Sequence, residues 1–208
     1  MMTQYTLIAQ MFDYPEKDFG NKIASIRNKL ISVYPQTADS LSEFESFINT
    51  KSIQELQEYF IRTFEVKALC NIDVGYILFG EDYKRGEFLV NIQSEHKKAN
   101  NDCGSELGDY LPNMLYLLPK IEDHEFAEEL AFSVLIPAVK QMIKTFLDKT
   151  NIYYKVLEVL LLMLETDFVG LDYGQITIPE VSSKDFFRKQ GGCSPGLCKP
   201  RKMQSVNF

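Results

Sequence analysis

Three sets of side chains in this sequence have types and spacings that could do chemistry. Glu106 and Asp109 stand three apart in Cys-Gly-Ser-Glu-Leu-Gly-Asp-Tyr-Leu-Pro (residues 103–112), and paired carboxylates are the usual parts of an acid/base device. Cys193 and Cys198 flank Ser-Pro-Gly-Leu, a spacing that fits half of a metal site or a small disulfide loop. His96 and His124 are the two histidines, the residue type whose ordinary pKa lies near neutrality.

None of these sets completes a constellation. Neither histidine sits at metal-ligand spacing or beside a nucleophile motif, and no phosphate-binding glycine loop, nucleophile elbow or dinucleotide fingerprint is present. His96 lies among Glu95, Lys97 and Lys98, which reads as a solvated helix face, and His124 lies in the acidic run 122–125, which reads as a helix start. The Cys193/Cys198 pair has no further cysteine near it to complete the four ligands of a structural zinc. For Asp109 the simpler reading is a helix cap, because it follows Gly108 and precedes a helical pattern with Pro112 in its first turn. Contact with a partner is the other reading, and acid/base catalysis the least supported of the three.

The elements that must position these residues are helical. Apolar residues recur every three or four positions almost everywhere, and strand-like alternation is scarce. Leu7, Ile8, Met11 and Phe12 make a first short face, ended by Asp13-Tyr14-Pro15. Phe19, Ile23, Ile26, Leu30 and Val33 make a second, stopped by Pro35, and Leu41, Phe44, Phe47 and Ile48 a third, with Ser40 as its expected cap. Ser52 is expected to cap a fourth helix, which carries Leu56, Tyr59, Phe60 and Phe64. After a loop with a short turn near Tyr76 to Phe79, a helix is expected from Asp82 to Ala99, and Leu111, Met114, Leu115 and Leu118 form the stripe that follows the opening motif. Pro137 divides the pattern from Asp123 to Lys149 into two expected helices, with the proline at the first position of the second. The run from Ile152 to Leu164 is apolar nearly all round and reads as the most buried helix.

The chain of 208 residues is thus expected to be all-α: one compact helical domain over 1–169, and a Gly/Pro-rich, partly mobile basic tail over 170–208. Net charge is −7, and residues 180–208 carry six Lys/Arg against two acids, which leaves −11 on residues 1–179. An acidic body disfavours nucleic acid and suits a basic partner segment. The first residues lack the basic and apolar regions of a secretory signal, no apolar run approaches the roughly 20 residues of a membrane span, and the four cysteines are too sparse for a disulfide scaffold. A cytoplasmic location is the resulting expectation.

Several segments, in order, carry a family resemblance. They are residues 56–65 (LQEYFIRTFE), 76–80 (YILFG), 83–86 (YKRG) and 106–112 (ELGDYLP). Together they resemble the delta-subunit family of respiratory nitrate reductases, the dedicated molybdenum-cofactor assembly chaperones, within a wider group that serves trimethylamine-oxide and dimethyl-sulfoxide reductases. The resemblance runs from the Phe12-Asp13-Tyr14-Pro15 start to the apolar helix at Val156 to Leu164 and includes Pro137. Its most specific element is Glu-Leu-x-Asp-x-Leu-Pro following Arg-Gly. Within it, Gly108 stands where the family usually has Pro, and Tyr110 where it usually has His.

The resemblance implies a non-enzymatic helical chaperone. Such a chaperone binds the N-terminal segment of a nitrate-reductase-type catalytic subunit in the cytoplasm and keeps it competent for insertion of the molybdopterin cofactor, which the client carries. No tightly bound cofactor, nucleic acid or membrane insertion is implied for the chaperone itself. Carried onto this chain, the client-binding role falls on Glu106, Asp109, Tyr110, Leu111 and Pro112, with Arg85 and Gly86 as a second patch. Leu111 or Leu115 and the aromatics Tyr59 and Phe79 are expected to take the apolar side of the client, the helix-in-groove mode of peptide recognition. The rival from another class is a metal-binding or redox protein using Cys193 and Cys198. A chaperone for another molybdopterin oxidoreductase is the nearer alternative.

Overall fold

A computed structural model describes residues 2–171, and these fold almost entirely as helix. The chain runs through α1 (Thr3–Ala9) with a following 3-10 turn (Gln10–Phe12), α2 (Phe19–Val33), α3 (Ala38–Asn49), α4 (Ile53–Phe64), α5 (Val74–Phe79), α6 (Tyr83–Lys98), α7 (Leu111–Leu117), α8 (His124–Glu129), α9 (Ile136–Thr145) and α10 (Ile152–Asp167). No strand occurs among the described residues; an isolated antiparallel bridge joins Asp73 to Tyr110. The all-α expectation holds. Cys193, Cys198 and the tail from residue 172 onward lie outside the described residues.

Local chemistry accounts for most helix boundaries. Ser52 closes a reciprocal capping box on α4, its hydroxyl accepting from Glu55 N while the Glu55 carboxylate accepts from Ser52 N. Asp82 caps α6, Asp123 caps α8 at His124, and Asn151 caps α10. Two boundaries differ from the sequence reading. Ser40 does not cap α3, because a 3-10 turn led by Pro35 carries the chain directly into helix at Ala38, two residues earlier. Pro137 does not separate two helices either. A π-helical turn over Leu130–Leu135 joins α8 to α9 without a break, and Pro137 falls in the first turn of α9. The wider turn accommodates the missing donor and the bulk of the proline ring that would otherwise collide one turn back.

The core is organised around α10, which packs against α3 on one side and α9 on the other. Its Tyr153, 1% exposed, is ringed by Phe12, Phe44, Tyr59, Phe60 and Phe64, with centroids 4.8 to 6.3 Å away. These separations suit edge-on and offset aromatic pairs. At the other end of α10 the Asp167 Oδ2 accepts three hydrogen bonds, from Gln4 Nε2 (2.8 Å), Tyr5 OH (2.9 Å) and Tyr34 OH (2.6 Å). Burial, then the Asp167 charge, raises the Tyr5 hydroxyl far above its ordinary range, so it stays protonated and donating. One carboxylate thereby ties α1 and the end of α2 to α10, and α1 in turn packs against α7.

Truncating Tyr153 to Ala is expected to lower unfolding free energy by about 3–5 kcal/mol in urea titrations. Tyr83→Ala, at a site 80% exposed, should leave the urea midpoint nearly unchanged. Equal losses for the two would refute the assignment of Tyr153 as the centre of the core.

Candidate functional site

The opening motif forms one wall of a cleft of about 400 Å³. The opposite side comes from the segment between α1 and α2, with the end of α4 beside it. Aromatic residues supply much of the lining: Phe12, Tyr14, Phe19, Phe60, Tyr110 and Tyr116. Five carboxylates share it (Asp13, Glu16, Asp18, Glu65 and Glu106) against one lysine, Lys22. The cleft is therefore acidic at its rim, with accessible rings at Tyr14, Tyr110 and Tyr116, while Phe12, Phe19 and Phe60 are buried. Burial, followed by the Glu106, Glu65, Asp73 and Asp13 charges, raises the Tyr110 hydroxyl above its ordinary value, as expected where several carboxylates converge on one phenol.

The motif is fixed from behind by a buried ion pair. The side chain of Asp109 is 0% exposed, and its Oδ2 takes hydrogen bonds from Arg85 Nε (3.0 Å) and an ion pair from Arg85 Nη2 (3.0 Å). Nη2 also reaches Asp73 Oδ2 at 3.3 Å, and the guanidinium lies 5.5 Å from the Tyr76 ring centroid. Burial and the neighbouring Asp109 raise the Asp73 carboxyl, against the lowering pull of Arg85. The backbone joins in: Val74 N donates to Asp109 O (2.7 Å) and Leu111 N to Ile72 O (2.9 Å). Gly75 makes this approach possible, since a Cβ there would stand 2.7 Å from Asp109 Oδ2.

A second clamp holds the loop that leads into the motif. His96 Nδ1 is 2.9 Å from Asn101 Nδ2, an amide donor, so Nδ1 accepts and the proton sits on Nε2, which donates to Gly108 O at 2.9 Å. Asn101 also donates to Asn113 O (3.2 Å) and accepts from Lys120 Nζ (2.6 Å), while Asn113 Nδ2 donates to Leu107 O (3.0 Å). Gly108 lies against the Cδ2–Nε2 edge of the imidazole, and a Cβ at that position would stand 3.1 Å from His96 Cδ2. The glycine found where the resembled family usually has proline thus sits against a buried ring.

These contacts correct two readings of the sequence. His96 is 1% exposed rather than solvated, because α6 turns that edge onto the 101–113 loop. Asp109 does not cap α7: the residue at the cap is Tyr110, no side chain caps the helix, and the Asp109 carboxylate is committed to Arg85. Of the residues singled out for client binding, Glu106, Tyr110 and Pro112 line the cleft. Leu111 and Leu115 are fully buried in the core. Tyr59 packs on Phe47 and Tyr153 and accepts from Ile152 N, while Phe79 packs on Phe88. Arg85 holds Asp109 from behind, and Gly86 is exposed on α6. Asp13, Glu16, Asp18, Glu65 and Tyr116 were not singled out. The signal of the four acids was only the collective acidity of the body, since they are distant in sequence from the motif and meet it only in the folded chain, whereas Tyr116 follows the motif on α7.

Among the described residues no three His, Cys, Asp or Glu side chains are grouped to hold a metal ion, and no helix is long and apolar enough to cross a membrane. Cys70 is buried, with its thiol pushed up to about 12, and Cys103 is half-buried. No family model matches the chain. Over 163 residues, 77% of this chain and 88% of the other, it is 23% identical to the probable nitrate reductase molybdenum cofactor assembly chaperone NarJ of Bacillus subtilis (strain 168).

Replacing Arg85 with Ala strands the buried Asp109 carboxylate and is expected to cost about 3–5 kcal/mol in chemical denaturation. Adding Asp109→Asn should recover part of that loss; strictly additive losses would show that the pair does not interact. Burial lowers the His96 pKa below its ordinary 6.5, with Lys120 adding to the effect against the Gly108 carbonyl. The unfolded chain then binds a proton that the folded chain does not, so this contribution is complete above pH 6.5 and is lost as pH falls from there through the lower folded value. Between about pH 7.5 and about pH 5.5 the urea midpoint of the wild type should fall more steeply than that of His96→Gln. Parallel profiles would remove His96 from the linkage.

Proposed function

We propose that this chain is a maturation chaperone for a molybdoenzyme, which holds the N-terminal segment of a nitrate-reductase-type catalytic subunit until the molybdenum cofactor is inserted. The observation that carries the proposal is that exposed Glu106, half-buried Tyr110 and, behind them, buried Pro112 form a wall of an acidic, aromatic-lined cleft. A cleft of that composition suits an amphipathic peptide with basic residues, its apolar side on the rings and its cations at the rim. The similarity to the Bacillus subtilis assembly chaperone, extending over 88% of that protein, supports the same role. The chain's part is binding rather than covalent change, and the cofactor belongs to the client.

Long-range attraction between the acidic body and a basic leader would speed encounter, and salt would weaken it. The rings and the rim carboxylates then provide orientation. Selective binding to the folded chaperone also stabilises it, so a client peptide should raise its melting temperature.

Two measurements test the proposal. In calorimetry with a synthetic peptide of the catalytic subunit's N-terminus, Glu106→Ala and Tyr110→Ala should each weaken binding by about ten-fold. Unchanged affinity in both would remove the motif from the binding site. A strain lacking this chain should accumulate the catalytic subunit without cofactor, and full molybdoenzyme activity in that strain would overturn the assigned role.

A further inference from the structure

We propose that Lys22 is a resident competitor in the cleft: its ammonium occupies the Asp13 carboxylate that an arginine of the bound peptide would otherwise engage, and it thereby sets which peptides bind. The inference rests on the peptide-binding reading above and specifies the chemistry of the peptide. It begins with a difference among the cleft carboxylates. Glu16, Asp18, Glu65 and Glu106 are exposed and form no ion pair among the described residues. Asp13 is half-buried and doubly engaged, by Lys22 Nζ at 2.8 Å from Oδ2 and by Tyr116 OH at 3.0 and 3.1 Å from its two oxygens.

Those two engagements have different characters. Tyr116 is held in α7, and burial followed by the Asp13 charge raises its hydroxyl above the ordinary range, so it remains a donor that orients the carboxylate. Lys22 reaches from the first turn of α2 on a flexible stem, and its side chain keeps 35% of its surface exposed. A pair that keeps about a third of each side chain in solvent is partly screened and can be exchanged at modest cost. An arginine brings a planar fork that can address both Asp13 oxygens, where the ammonium takes Oδ2 alone. The carboxylate is thus pre-oriented by Tyr116 and loosely covered by Lys22. A peptide that carries only apolar residues gains nothing by displacing the lysine, whereas one with an arginine beside its apolar face gains the exchange. The acidic rim and adjacent rings fit that occupant by charge and by shape.

The test is calorimetry on the full chain with two synthetic amphipathic peptides, one bearing arginines on its polar face and one with glutamines in their place. Lys22→Gln is expected to tighten the arginine peptide by about two- to five-fold, the scale of a partly screened ion pair, and to leave the glutamine peptide unchanged. Lys29→Gln removes the same charge from an exposed position on α2 and should have a smaller effect on the arginine peptide and none on the glutamine peptide. Asp13→Asn should weaken the arginine peptide and make Lys22→Gln silent. A Lys22→Gln protein with wild-type helicity and melting temperature that binds the arginine peptide no more tightly would overturn the proposal. So would equal tightening of both peptides, or an arginine peptide that binds neither wild type nor variant. In that last case, loss of molybdoenzyme activity in the deletion strain would still uphold the chaperone role. Full activity in that strain alongside the expected calorimetry would sink the chaperone role and leave the competition standing.

Discussion

A carboxylate with no access to solvent has to be paired, and in this protein that demand on Asp109 arranges the cleft. Its partner Arg85 comes from α6, and the same guanidinium reaches Asp73 at the start of α5. Three segments far apart in sequence are pinned at one point, and the backbone exchanges at Val74 and Leu111 extend the seam on either side. A buried ion pair adds little net stability compared with apolar packing, but breaking it is costly, so it serves registry better than strength. Here the registry it sets is that of Glu106 and Tyr110 toward the cleft. Gly75 belongs to the same device, because any larger residue would push the carboxylate out of place.

The molecule divides its work between two faces of the same segments. Behind the motif, Leu111, Met114 and Leu115 are fully buried, and α7 packs against α1. In front, acids accumulate at a density that folding alone would disfavour, since like charges repel across an exposed rim. The repulsion is moderated by solvent and by Lys22 at Asp13. The cationic peptide proposed above would relieve the remainder of that cost, and the rings between the acids would give it an apolar seat.

Much of the fold was legible because it depends on local rules. The Ser52 cap, the helix starts near Asp82 and Asp123, the stop at Pro35 and the burial of the Val156-to-Leu164 run follow from residue type and spacing. The failures are equally specific. His96 sits between charged neighbours along the chain, yet the side of α6 that it occupies is covered by a loop arriving from residues 101–113. Asp109 has the type and position of a cap, but a guanidinium 24 residues away in sequence outbids the free amides of α7. Pro137 ordinarily ends a helix, and a π turn upstream absorbs it instead.

The candidate site shows the same division. From the sequence alone came the helical class, the acidity of the body and the motif at 106–112, because propensity, net charge and ordered spacing are properties of the chain as written. Only the tertiary structure decided which of those residues face the cleft. Leu111 and Leu115 turned inward while Glu106 and Tyr110 turned outward, Tyr116 joined them from α7, the helix of those leucines, and Asp13, Glu16, Asp18 and Glu65 came from distant positions. The reason is physical. A helix face is settled by what packs against it, and a charge acquires its role from the groups that folding brings within a few ångströms.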